Sequence, residues 1–425
     1  MNTFRLACKP IALCSLFTIM LVLAVSSKAE EPLALAETIQ LATQNQPLLQ
    51  SLNDASASSR QAAIAEAQLP DPKIKFGVTN LPITNSNAFR LDREDMTMVN
   101  VGVAQDITPQ KKREALSNRL LAEADQFHAE QNATARTIER DVALAWLDVY
   151  EAQRKTELYQ RLIDDMTAER KLLAASISSG ITNAKDVLAQ DTNISLIKEK
   201  LIFAQRDERK ARAALARWIG ESASRPISPE LPEITNGLSP NEIQKEIETH
   251  PLLQSAFQSE RVAQYEVESA QANLERNWGW EVGYGKRFDD RSDMLSFQVS
   301  IDLQLDRANR QDRRTAEKLV LVEKARKLTE DRRRMLSSEL ESAMADAEAA
   351  EALKNENMTK LIPNAQAKLS IAQAAYKSGK QTIGDVWQAR RDLIDVELDQ
   401  LSILTDKQRA AVKIGYFTND KQLIK

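Results

Sequence analysis

The chain carries its own sequence twice, offset by roughly 200 residues, and this constrains its fold more than any other feature. Pro47-Leu48-Leu49-Gln50-Ser51 returns as Pro251-Leu252-Leu253-Gln254-Ser255, and Ala65, Ala67 and Leu69 return as Ala270, Ala272 and Leu274. Gly180, followed six residues later by Asp186-Val187, recurs as Gly379 followed by Asp385-Val386. Two structural repeats are expected, at 30–224 and 241–425, joined by a Pro-rich linker at 225–240. The linker ends in Ser239-Pro240-Asn241-Glu242, the pattern of a helix capping box with proline at the first helical position.

Within each repeat the apolar residues follow two periods. No proline occurs between Pro109 and Pro226, and Ile138, Val142, Ala145, Val149, Ala152, Tyr159, Leu162 and Met166 recur there in a seam dominated by three- and four-residue steps. This is a coiled-coil-like pattern. A helix from about 110 to 176 would run roughly 100 Å at 1.5 Å per residue, a length suited to a spacer. Elsewhere the period falls to two. Ile74, Phe76 and Val78 alternate with polar or small residues, as do Val99, Val101 and Val103. Trp278, Trp280, Val282 and Tyr284, then Phe297, Val299, Ile301 and Leu303, do the same in the second half. Strands are expected at about 73–80, 96–107, 278–288 and 294–305, each with one apolar face. The longer ones match the roughly 9–11 residues of a tilted membrane strand.

Export is expected from the N-terminus. Arg5 and Lys9 precede an apolar run from Ile11 to Val25, and Ser27 and Ala29 fit a cleavage site, so residues 1–29 read as a signal peptide and Glu30 as the mature start. The run is shorter than the roughly 20 residues of a membrane-spanning helix. Both cysteines, Cys8 and Cys14, fall in the leader, and neither has the setting of a lipidation site. A mature chain without cysteine has no disulfide and no thiolate metal site. Its charge is mildly acidic: the leader takes three of the 57 Lys and Arg, leaving 54 against 61 Asp and Glu, or −7. No basic patch points to nucleic acid. Four exported strands cannot close alone in lipid, where open edges are not tolerated and the smallest barrels have eight strands. Three chains would supply twelve.

The segment Tyr376-Lys377-Ser378-Gly379-Lys380-Gln381-Thr382-Ile383-Gly384-Asp385-Val386 resembles the helix-turn-helix tip of the TolC family of outer-membrane efflux channels. Leu361-Ile362-Pro363-Asn364-Ala365, the opening Leu35-Ala36-Glu37 with Asn45-Gln46-Pro47, and the duplication are similar to that family too. The resemblance spans essentially the whole mature chain. It implies a mainly α protein with a membrane β part: a homotrimer with a twelve-stranded outer-membrane barrel and a long periplasmic coiled-coil tunnel. The trimer would serve as the passive export duct of a tripartite pump, beside a periplasmic adaptor and an inner-membrane efflux pump. Trp146-Leu147-Asp148-Val149-Tyr150 is similar to the branch serving heavy-metal pumps of the cobalt–zinc–cadmium type.

The resemblance also implies a gate. Asp186 and Asp385 match carboxylates of the closed periplasmic end, Tyr376 matches a gating tyrosine, and the tip turns at Gly180 and Gly379 would contact the adaptor. Gln381 stands where the best-known member has an arginine, and Gln388 replaces a second acidic residue. The arginine–carboxylate clamp would then fall to a neutral hydrogen bond, or to Lys380 or Lys377. Threefold symmetry would make each Asp a carboxylate ring that selects cations and raises its own pKa by repulsion. An Asp at a helix N-terminus, stabilised by the helix dipole, is the simpler alternative.

No enzyme signature is present: no HExxH, no GxSxG, no GxxxxGK[ST]. Gly283-Tyr284-Gly285-Lys286 lies in an alternating strand with no helix after it. His128 and His250 lack ligand-spaced partners and read as solvated or packing residues, so neither a cofactor nor a bound metal is expected. Two rivals remain at this stage, a periplasmic adaptor and a structural coiled-coil protein. An adaptor sets one helical hairpin inside β domains, the reverse of this nesting, and a plain coiled coil leaves the strands unexplained.

Overall fold

The long proline-free run becomes one helix in the computed structural model, which describes residues 31–44, 46–176, 184–234 and 240–418. The leader at 1–29, the first tip turn with Gly180, and the linker residue Ser239 lie outside the described residues. In chain order the first repeat contains α1 (Leu35–Gln44), α2 (Pro47–Glu66), β1 (Lys73–Thr79), β2 (Met98–Ile107), α3 (Gln110–Ser176) and α4 (Ala184–Ile219). The second contains α5 (Pro240–Glu246), α6 (Pro251–Ala272), β3 (Trp278–Lys286), β4 (Met294–Ile301), α7 (Gln311–Glu356), α8 (Ile362–Lys377) and α9 (Ile383–Tyr416). The architecture is mainly helical with one small sheet. Prolines open α2 and α6, where the missing N–H costs nothing.

Helix α3 has 67 residues and packs against α2, α4, α6 and α9. Its seam residues Ile138, Val142, Val149, Leu162 and Met166 are buried, and Tyr159 is half-buried. At its middle, Trp146 is fully buried, donates from Nε1 to the Leu33 carbonyl at 3.0 Å, and stacks on Tyr150 at 5.7 Å. One departure of the second repeat from the first lies in its long helix. Asn357–Leu361 winds as a π turn between α7 and α8. Pro363 explains it: it offers no N–H to the Thr359 carbonyl and its ring crowds that group, and the wider turn relieves the clash.

The strands form one antiparallel sheet in the order β1-β2-β3-β4, so the two repeats join through β2 and β3. The pairing register sorts side chains onto two faces. Ile74, Val103, Val282 and Phe297 make one cross-strand row, and Phe76, Val101, Tyr284 and Leu295 the next. On the other face Lys73, Ala104, Glu281 and Gln298 form a row, followed by Lys75, Gly102, Gly283 and Ser296. The strands end at Thr79, Lys286 and Ile301, and Asp302 closes the sheet with a bond from its N–H to the Asn277 carbonyl at 3.0 Å.

Candidate functional site

The described helical tip is built by backbone capping. After α8, Gly379 adopts φ +70°, the left-handed conformation that glycine enters without a Cβ penalty. Its N–H reaches the Tyr376 carbonyl at 2.9 Å, and Lys380 N–H reaches that of Ala375 at 2.9 Å, closing the helix end. The chain then restarts on Thr382. The Asp385 carboxylate accepts from Thr382 N–H at 2.9 Å and from its Oγ1 at 2.8 Å. The Thr382 hydroxyl, then its backbone N–H, hold the Asp385 carboxyl below the usual carboxylate range. Asp385 is therefore a capping residue within its own chain, whatever ring it joins in an assembly. Asp186 occupies the first turn of α4 and is half-buried.

Tyr376 is half-buried against the first hairpin. It lines a groove of about 390 Å³ with Glu169, Leu172 and Leu173 of α3 and Ile383 and Val386 of α9. Gln381, Lys380 and Lys377 lie exposed at the turn. Gln388 donates to Asp392 at 2.6 Å and accepts from Arg391 at 2.7 Å, tying α9 to itself.

A different arginine clamps the two hairpins. Arg390 reaches across from α9 to Asp165 at 2.9 Å and to Glu169 at 2.6 Å on α3. Burial raises the Glu169 pKa, and its neighbour Asp165 adds to this, while Arg390 opposes it. Higher up, Arg409 makes the same bridge to Asp148 at 2.7 Å and Glu151 at 2.6 Å. Its surroundings raise the Arg409 pKa, since those carboxylates outweigh its burial. The sequence reading missed both arginines. A usable signal was present on α3: Asp165 and Glu169 stand four apart, Asp148 and Glu151 three apart, so each acidic pair shares one helix face and awaits a cation.

The sheet is the second candidate site. All five strand glycines, Gly77, Gly102, Gly279, Gly283 and Gly285, lie on the polar face. A Cβ on Gly102 would stand 2.9 Å from the Val282 carbonyl, and one on Gly283 would stand 2.9 Å from Ser296 Oγ. At edge-strand Gly77 nothing lies within 4 Å. At Gly102 and Gly283 the polar face has no room for a side chain. Over Gly102 and Ala104, which leave room, Lys75 crosses from β1 to pair with Glu281 on β3, and Lys73 pairs with Asp106 at 2.6 Å. The other face is apolar and open: Phe76, Leu295 and Phe297 are 87%, 78% and 69% exposed. Among the described residues, β1 and β4 each leave one edge unpaired, and no helix is long and apolar enough to cross a membrane.

His128 has no resolved role, but His250 does. It is fully buried and caps α6: Nδ1 accepts from Leu252 N–H at 3.2 Å, and Nε2 donates to the Tyr416 carbonyl at 3.1 Å. Among the described residues, no cluster of His, Cys, Asp or Glu could hold a metal ion.

No family model and no curated protein matches the sequence. Solved structures do match. A membrane protein from Pseudomonas aeruginosa superposes with a TM-score of 0.75 at 16% identity, covering 90% of this chain and 92% of its own. CusC, described through its transmembrane channel formation, gives 0.74 at 14% identity, over 91% and 92%. The Campylobacter jejuni CmeC outer membrane channel gives 0.75 at 10% identity, over 90% and 85%. At such identities the likeness establishes the fold, which is that of these channel proteins.

Proposed function

We propose that this chain is the subunit of a trimeric outer-membrane channel, the passive export duct of an efflux pump that works with a periplasmic adaptor and an inner-membrane transporter. The observation that carries the reading is the sheet. One face is apolar and open, the other is polar and glycine-rich, and its two edges lack partners among the described residues. Three copies joined β1 to β4 would give a closed twelve-stranded barrel with lipid outside and water inside. The helices support the same assembly. Leu188, Leu196, Ile202 and Phe203 on α4, and Leu319, Val320 and Leu328 on α7, are exposed apolar residues that a neighbouring subunit would cover. Heavy-metal cations are the cargo class favoured by the resemblance at residues 146–150. Outer-membrane residence and a cleaved leader complete the reading, and Asp385, Tyr376, Asp186, Gln381 and the turns at Gly180 and Gly379 form its tip.

Planar-bilayer recording of the purified protein tests it. Discrete single-channel conductance is expected, and neither an adaptor nor a structural coiled coil would produce it. The same recording weighs the two readings of Asp385. Asp385→Asn keeps an oxygen acceptor for the Thr382 cap but removes three charges from one constriction. Cation preference and block by divalent ions from the tip side should both fall if the three carboxylates form the gate ring. Unchanged selectivity would leave Asp385 with its cap alone. Arg390→Ala should raise mean conductance, because it frees α9 from the Asp165–Glu169 pair on α3. A variant that conducts like the parent would show that this bridge does not restrain the tip.

A further inference from the structure

The four strands carry five charged side chains between them: Lys73 and Lys75 on β1, Asp106 on β2, and Glu281 and Lys286 on β3. Lys286 ends β3 in the row of Val99, on the apolar face. The other four share the polar face, and all stand in its half nearer the helices. The two rows nearest the loops hold Gly77, Asn100, Gly285 and Met294, then Thr79 and Met98, none of them charged. The charges therefore gather at one height on a wall that is otherwise neutral and rich in glycine.

They are also paired. Lys75 crosses β2 to reach Glu281, and Lys73 meets Asp106 at 2.6 Å. Neighbouring strands lie about 4.8 Å apart, so the first bridge spans roughly 10 Å and needs two long side chains laid over Gly102 and Ala104. Lys73, Lys75 and Asp106 stay exposed and Glu281 is half-buried, so ions in the surrounding water can reach all four. A hollow of about 340 Å³ lies beside the bridge, lined by Lys75, Asp106, Glu281, Gln298 and Ser300 among others. Strand β4 places only Met294, Ser296, Gln298 and Ser300 on this face. A neighbouring copy's β4 laid against β1 would bring the two lysines no rival carboxylate, and the pairs would persist in the assembly.

We propose that Lys73–Asp106 and Lys75–Glu281 form a charge-balanced girdle that makes the barrel indifferent to the sign of the ions it passes. The inference rests on the channel reading, in which the polar face lines the water. Threefold symmetry would set six lysines beside six carboxylates at one height. A ring of like charges selects ions of the opposite sign, but here each charge is cancelled by a partner within bonding distance. Such a pair presents a dipole, whose field fades faster than a lone charge's and is screened within about 8 Å at physiological salt. Sign selection then falls to the tip, and cargo of either charge leaves through the barrel once it has passed there.

Reversal potentials of the purified protein in planar bilayers, under a potassium chloride gradient, test the girdle. Glu281→Gln leaves Lys75 unpaired in every copy, and the cation-to-anion permeability ratio should fall by roughly threefold or more. Lys75→Gln leaves Glu281 unpaired and should raise the ratio by a similar factor. The double variant, in which neither charge is left, should return to the parent's ratio. Asp106→Asn and Lys73→Gln repeat the test at the second pair, with the same directions expected, and carry it if a variant of the first pair does not fold. Comparison with the parent removes the contribution of the tip. Conducting variants that all keep the parent's ratio would overturn the girdle and leave both pairs as braces of the sheet. Lysine and carboxylate variants that shift the ratio in the same direction would overturn it too. A folded parent protein that gives no conductance would defeat the channel reading, and the girdle with it.

Discussion

Phe297→Arg should abolish the folded, lipid-inserted protein, while Gln298→Arg, one residue along the same strand, should leave it intact. The two positions differ only in the face they occupy. Phe297 lies in the middle apolar row with Ile74, Val103 and Val282, whereas Gln298 shares the polar face with Glu281 and Ala104. An arginine on the lipid face near mid-membrane costs about 2–4 kcal/mol, and a barrel of three chains would bear that cost three times. An added arginine in a water-filled lumen costs far less and would change conductance instead. Heat-modifiable migration on gels and recovery in the outer-membrane fraction measure the outcome. A soluble sheet predicts another pattern, because both residues are exposed in the single chain and both arginines would then be tolerated. Equal survival of the two variants would remove the membrane barrel from the reading.

The reason the strand faces were legible in the sequence is that a two-residue period admits only one register of inside and outside. Ile74, Val101, Val282 and Phe297 share a face because their alternation leaves no other solution. The long helix was legible for a related reason. Between Pro109 and Pro226 nothing breaks the three- and four-residue spacing, and α3 runs through it from Gln110 to Ser176. The tip was less legible. Capping bonds such as Thr382 to Asp385 are local and can be read, but Arg390 to Asp165 spans 225 residues, and spacing along one helix does not say which partner helix faces it. The segment Trp146–Tyr150 carries a further lesson. Trp146, Leu147 and Val149 are fully buried, Tyr150 stacks on Trp146, and Asp148 holds Arg409. The motif whose resemblance favours a metal-pump branch is thus also spent on packing and on pinning α9. The glycines tell more, because their restriction to one face emerges only when the pairing of all four strands is known.

His250 should make the helical body sensitive to acid, with the loss confined to a defined window. Burial first, and then Arg136 and Arg140 on α3, hold its pKa down to about 4 against an ordinary 6.5, despite the favourable bond to the Tyr416 carbonyl. The packing explains the direction. Tyr416 meets the imidazole edge-on at 4.6 Å and Phe417 lies at 5.9 Å. Protonation would put a donor at Nδ1, where Leu252 N–H already donates, and so break the α6 cap. Because the folded pKa is depressed, the unfolded chain takes the proton first as pH falls. Stability is therefore complete above about 6.5, declines between about 6.5 and 4, and loses nothing more from this group below that. A shift of this size corresponds to on the order of 3 kcal/mol per chain. Carboxylates such as Glu151 also titrate in acid, so the parent's curve alone would not isolate the histidine. His250→Asn does. Asparagine caps a helix well and does not titrate, though its shorter side chain gives up the bond to the Tyr416 carbonyl. The variant should start below the parent at pH 7, having lost the ring contacts, and should fall less steeply between pH 6.5 and 4. Unfolding midpoints in detergent across that range measure the difference in slope. Parallel curves for parent and variant would mean that the buried imidazole keeps its ordinary affinity for the proton and that the acid response lies elsewhere.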